Sequence, residues 1–106
     1  MAISNTVLTT ALGNVYVSSG ASAITSIYFC NGSGAGAVTF NLYAVPSNID
    51  PATVGAGQLL YQDVSVTQGD TYVIDTEKLI LDSGDYLVAN CSANTSLVTT
   101  ISSIGI

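Results

Sequence analysis

Six acidic side chains stand in the second half of the chain: Asp63, Asp70, Asp75, Glu77, Asp82 and Asp85. Two carboxylates at the right separation can hydrolyse a glycosidic bond, one as acid and the other as base or nucleophile. Most of these acids, however, sit at turn-like stretches such as Gln68-Gly69-Asp70 and Asp82-Ser83-Gly84-Asp85. There an aspartate oxygen serves the backbone as a hydrogen-bond acceptor. Asp82 and Asp85 could share a calcium ion with loop carbonyls, but the EF-hand pattern of oxygen ligands is missing.

Other chemistries are excluded by what the chain lacks. With no histidine there is no Ser-His-Asp or Cys-His arrangement. A Ser–Lys dyad would need Lys78, the only basic side chain, and no nucleophile motif adjoins it. Cys30 and Cys91 are too few soft ligands for zinc. Asp75-Thr76 opens like an aspartic-protease triplet, but Glu77 stands where that triplet needs glycine. Gly32-x-Gly34-x-x-Ala37 fits a loosened dinucleotide fingerprint, yet the mechanism needs a helix after the glycines. Val38–Val45 instead alternates like a strand. The residues therefore assign no catalytic, cofactor-binding or metal site, and no enzyme activity is expected.

Composition narrows the partners. Of 106 residues, 48% are hydrophobic and 8% charged, and the net charge is −6. Nucleic-acid binding draws on lysines and arginines that neutralise phosphates, and one lysine cannot supply that. An anionic membrane surface would repel the same field. The apolar stretches fall short of the about 18 residues of a membrane-spanning helix. Met1–Thr10 has neither a basic nor an apolar signal region, which predicts folding in a cytoplasm. Cys30 and Cys91 are then expected as free, small buried hydrophobes rather than a disulfide, and the sequons at Asn31, Asn90 and Asn94 carry no weight.

The elements that would position any site read as strands. Asn5–Thr10 and Asn14–Ser18 are short, the second with Val15 and Val17 on one face and Tyr16 on the other. Ala23–Asn31 is apolar on both faces, which predicts a central strand covered on two sides. Asn31–Gly36 is a glycine-rich turn, and Ala37–Pro46 alternates cleanly: Val38, Phe40, Leu42 and Ala44 against Thr39, Asn41 and Tyr43. The pair is expected to form a hairpin.

Asp50–Gly55 reads as one helical turn, capped by Asp50, with Pro51 in its first position and Gly55 at its end. It lies in Ser47–Gly57, the longest connection and the best suited to contacts. Gln58–Thr67 is a strand. Thr71–Asp75 and Glu77–Leu81 follow as one bent strand, then Tyr86–Ser92 with Leu87, Ala89 and Cys91 on one face, then Leu97–Ile104. About eight short strands with turns roughly every 8–12 residues predict an all-β fold. The expected architecture is a jelly-roll-like β-sandwich or small barrel forming a single domain over residues 1–106.

The predicted outer faces carry Thr, Ser, Asn and Tyr where a soluble monomer would carry Lys and Glu. Interfaces are depleted in charge and enriched in tyrosine, and open sheet edges are normally guarded by charge, above all Lys. The six tyrosines, Tyr16, Tyr28, Tyr43, Tyr61, Tyr72 and Tyr86, suit strand packing or an interface. The neutral faces fit either a domain with many buried or paired edges or assembly into a larger object.

Several strand segments carry a resemblance. Asn5-Thr6-Val7-Leu8-Thr9-Thr10, Tyr16-Val17-Ser18 and Ile27-Tyr28-Phe29-Cys30-Asn31 are followed by Val38-Thr39-Phe40-Asn41-Leu42-Tyr43-Ala44-Val45-Pro46. Asp70-Thr71-Tyr72-Val73-Ile74-Asp75-Thr76-Glu77-Lys78-Leu79-Ile80-Leu81, Gly84-Asp85 and Ile104-Gly105-Ile106 complete the set. Together they resemble the small β-rich virion structural proteins of tailed bacteriophages, notably those infecting cyanobacteria. The resemblance implies a place in the virion, reached after folding in the host cytoplasm, and no enzyme site. The leading expectation is a capsid decoration or cement protein, a homo-oligomer bound to the major capsid protein or other virion proteins. A tail, baseplate or fibre component is the alternative. A glycan-binding module using tyrosines and a calcium-held loop stands behind both, disfavoured by the absence of tryptophan.

Overall fold

A computed structural model describes residues 2–32, 36–50, 53–74, 79–93 and 97–105. Those residues form nine strands: β1 (Ala2–Val7), β2 (Gly13–Val17), β3 (Ser22–Asn31), β4 (Val38–Val45), β5 (Leu59–Val66), β6 (Thr71–Ile74), β7 (Leu79–Leu81), β8 (Tyr86–Cys91) and β9 (Leu97–Gly105). A five-stranded sheet runs β1-β9-β3-β6, with β7 also paired to β3, and a four-stranded sheet runs β2-β8-β4-β5. Every pairing is antiparallel.

The pairs nest. β4 pairs with β5, β3 with β6 and β7, β2 with β8, and β1 with β9. One long antiparallel hairpin, closed between β4 and β5, is thus wrapped into two sheets. That is a jelly-roll β-sandwich. β6 and β7 meet the two ends of the same strand, as one bent strand should; residues 75–78 between them, including Asp75, Glu77 and Lys78, lie outside the described residues.

The expected β3–β4 hairpin is not formed. β3 has β9 on one side and β6 and β7 on the other, while β4 lies between β8 and β5 in the other sheet. The rings of Phe29 (β3) and Phe40 (β4) stack across the gap between the sheets, 3.7 Å apart and 12° from parallel. Alternation looks the same for strands that face each other as for strands side by side. Here it marks facing strands.

Two bulges shift the phase of the inward pattern. A bulge between Ile24 and Ser26 puts Ile24, Ile27 and Phe29 on the core face and turns Tyr28 and Cys30 outward. β3 is therefore central but not covered on both faces, and Cys30 is exposed rather than buried; only Cys91 is buried. Both thiols are free. A second bulge, between Asn14 and Tyr16, buries Val15 and leaves Val17 55% exposed, so these valines do not share a face. Tyr16 packs against the core. β1 begins at Ala2, earlier than expected, because the chain leaves the sheet after Val7. Leu8 still donates to the Leu97 carbonyl in one sheet, and Thr9 accepts from Cys91 N in the other.

β4 and β8 follow their patterns. Phe40, Leu42, Leu87, Ala89 and Cys91 join the core with Leu97 and Ile101 from β9. A smaller cluster forms on the outer side of the four-stranded sheet. There Ile49 and Val54, from the connection after β4, cover Val45, Tyr86 and Val88. Tyr86 OH donates to the Ile49 carbonyl at 2.8 Å. The 47–57 connection is therefore seated on the sheet. Thr53 N donates to the Asp50 carbonyl, as a helical turn requires, but Pro51 and Ala52 lie outside the described residues; a 3-10 turn follows at Ala56–Gln58.

Asn31 ties one end of the sandwich together. Fully buried, its Nδ2 donates to the carbonyls of Gly36 (2.8 Å) and Val66 (2.9 Å). Its backbone bonds Asp70 and Gly69 in the β5–β6 turn. Thr99, equally buried on β9, has no hydrogen-bond partner for Oγ1. The two buried polar residues should respond oppositely to deletion. Asn31→Ala removes the side-chain donor from the buried Val66 carbonyl and the partly buried Gly36 carbonyl and is expected to cost about 2–3 kcal/mol in urea unfolding, whereas Thr99→Val removes an orphan and should stabilise by about 1 kcal/mol.

Candidate functional site

The structure disperses the described carboxylates, while Asp75 and Glu77 lie outside the described residues. Asp63 is on β5, Asp70 in the turn before β6, Asp50 after β4, and Asp82 and Asp85 in the turn before β8. Only the last two share a turn, and Asp85 is committed to the backbone. Its Oδ1 accepts from Ser47 N at 2.9 Å and its Oδ2 from Asp82 N at 3.0 Å. Gly84 completes this turn at φ 89°, and a Cβ there would also meet Ser47 Cβ at 3.1 Å, so glycine is required on both counts. Among the described residues no three His, Cys, Asp or Glu side chains gather as a metal site would need. After Gly32 the chain enters strand β4, so no helix N-terminus faces a phosphate there.

Among the described non-glycine residues, Asp63 alone has a positive φ. Its φ is +51°, a region that aspartate tolerates better than most side chains. Its N–H donates to Asn41 Oδ1 at 2.8 Å, and Asn41 Nδ2 donates to Asn90 Oδ1 at 2.9 Å. This amide ladder holds the irregular edge strand β5, whose register against β4 shifts twice nearby. Bulged, charged edges resist pairing with foreign strands.

Several recesses lie among the described residues, and two of them carry side chains of interest. A shallow pocket of about 270 Å³ is lined by Tyr16, Ser22 and Ser103 with the Ser19–Ala21 turn and Gly105. Tyr16 OH lies 3.2 Å from Ser22 Oγ and 3.3 Å from Ser103 Oγ, and Ser22 Oγ lies 2.8 Å from Ser18 Oγ, which donates to the Gly20 carbonyl. A hydroxyl carries one proton, so the Tyr16 hydroxyl, the donor in both contacts, shares its proton between the two serines. The row of hydroxyls satisfies itself. The second recess, about 20 Å³ between Leu42, Leu60, Ile74 and Leu79, has room for about one water.

The largest feature is the outer face of the five-stranded sheet. Register places its residues in rows. Val7, Val98 and Cys30 form one end row, and Ala23, Ile104 and Ile80 the other. Between them lie Asn5, Thr100, Tyr28 and Val73, then Ile3, Ser102 and Ser26. Thr100 Oγ1 donates to Asn5 Oδ1 at 2.8 Å, tying β9 to β1 on this side. Ile3 is 70% exposed and Ile80 62%, with Val7, Tyr28, Val73, Val98 and Ile104 each more than a third exposed. No described residue on this face is charged. Alternation alone hid it: the bulge at residue 25 had to be known before Tyr28 and Cys30 could be placed outside.

No family model, curated protein or solved structure matches this chain.

The face is best probed through its thiol. A folded sample should titrate one cysteine with a disulfide reagent, and Cys30→Ser should abolish that signal. The Cys91 thiol should react only once the domain is unfolded, because it sits inside the sandwich with Sγ against the Ala93 carbonyl at 2.9 Å.

Proposed function

We propose that this chain is a structural protein of a phage particle, acting as a capsid decoration or cement protein on the outer shell. The observation that carries the reading is the broad sheet face with exposed isoleucines, valines and a tyrosine and no described charge. Such composition is that of an interface centre rather than of a monomer's surface.

Three further points support it. The described carboxylates are scattered, and that of Asp85 is bound to backbone. Jelly-roll sandwiches recur in viral shells as well as in lectins, an analogy of fold only. The resemblance to small cyanophage virion proteins covers the strands that build both sheets. An acidic protein would keep clear of the packaged genome, which suits the outside of a shell. Binding the assembled shell and not its free subunits would stabilise the shell by mass action, and repeated lattice contacts would multiply a weak contact through avidity. A glycan-binding role would draw on the hydroxyl recess, but Tyr16 packs its ring against the core instead of presenting it to a sugar.

Quantitative mass spectrometry of purified virions, ratioing this chain to the major capsid protein, tests the proposal. A ratio near unity or a simple fraction of it is expected. A ratio on the order of a few per cent would transfer the chain to the tail, baseplate or fibres, and absence from particles would end the virion reading.

A further inference from the structure

We infer that the outer face of the five-stranded sheet is the contact between two copies of this chain, packed sheet against sheet. The inference deepens the structural reading above by naming a surface and its occupant, and it can be tested on the isolated protein.

The two outer faces of the sandwich differ. On the four-stranded sheet the chain covers its own apolar patch, laying Ile49 and Val54 over Val45, Tyr86 and Val88. No described segment does the same for the five-stranded sheet, where Ile3 and Ile80 stand most exposed.

Charge selects the occupant. The chain carries a net charge of −6. All five described acids, Asp50, Asp63, Asp70, Asp82 and Asp85, lie on other surfaces. A basic partner would be drawn to those acids and not to a face on which no described residue is charged. A second copy, equally acidic, can approach through such a face with its described acids pointing away from the contact.

The arrangement of residues also suits a copy of itself. Apolar side chains lie around the face: Val7, Val98 and Cys30 at one end, Ile104 and Ile80 at the other, Ile3 on the β1 edge and Val73 on the β6 edge, with Tyr28 on the inner strand β3. Hydroxyls of Ser26, Thr100 and Ser102 occupy the middle. A two-fold axis in the plane of contact, whether along the strands or across them, sets apolar ends on apolar ends and hydroxyls on hydroxyls. A two-fold contact must be self-complementary in this way.

The size is sufficient. The 32 described strand residues of this sheet, at about 4.8 Å by about 3.4 Å each, give a footprint of roughly 520 Å² per copy, about 1,000 Å² across the contact. Specific interfaces begin near about 1,000 Å². Two sheets packed face to face at about 10 Å would extend the sandwich into a four-layer body.

Sedimentation equilibrium of the purified chain over a dilution series is the test, with Val98→Glu as the variant. The wild type should be a reversible dimer, and Val98→Glu should weaken it by at least about tenfold, since two like charges would be desolvated in one contact. Circular dichroism checks that the variant is folded. The wild type provides a second readout that needs no variant: the rate of Cys30 alkylation should fall as concentration rises, in step with the dimer fraction. A chain that stays monomeric throughout would overturn the inference, as would a dimer whose Cys30 reacts at a concentration-independent rate. A folded Val98→Glu dimer as tight as wild type would overturn it too. These outcomes separate from the virion reading. A monomer present in particles at a fixed ratio would remove only this contact, and a dimer absent from particles would remove only the virion role.

Discussion

The stack of Phe29 on Phe40 is the contact on which the rest of the structure turns. It joins the middle strands of the two sheets, and it sets which side of β3 and β4 is inside. Side chains in a strand alternate with a period of two, so fixing one inward residue fixes its neighbours as far as the next bulge. From Phe40 the inward set runs through Val38 and Leu42, and from Phe29 through Ile27. The partner strands then inherit their facing through register: Leu87, Ala89 and Cys91 on β8, and Leu97 and Ile101 on β9.

What is left outside follows from the same constraint. With Phe29 inward, Tyr28 and Cys30 must face out, and register lines them up with Thr100 and Val98. The outer face of the five-stranded sheet is thus the complement of the core rather than a separate feature. On the other sheet the same logic exposes Tyr43, Tyr86 and Val88, but the connection after β4 returns over them and is pinned by Tyr86 OH and by the Asp85 carboxylate. The asymmetry between a self-covered face and an open one turns a sandwich into a candidate building block.

The candidate site was only half legible in the sequence. The shortage of charge was plain, and it pointed to interfaces. Its location was not, because a single inserted residue at position 25 reverses the phase of β3 and no pattern of alternation announces it. Cys30 shows the cost: by composition a small buried hydrophobe, by register a surface thiol. The acids show the converse. Asp85 was expected at a turn because aspartate next to glycine suits one, and both its oxygens are bound to backbone there.

The sequence by itself determined the all-β class, most strand positions, the turns at residues 68–70 and 82–85 and the poverty in charge. These rest on local rules, period-two alternation and turn chemistry, that act over a few residues. Only the tertiary structure decided that β3 and β4 face each other across the core instead of pairing, that the pairs nest into a jelly roll, and which neutral face stays open. Those outcomes depend on contacts between residues far apart in the chain, where one bulge or one stacked pair of rings selects among arrangements that local patterns leave equal.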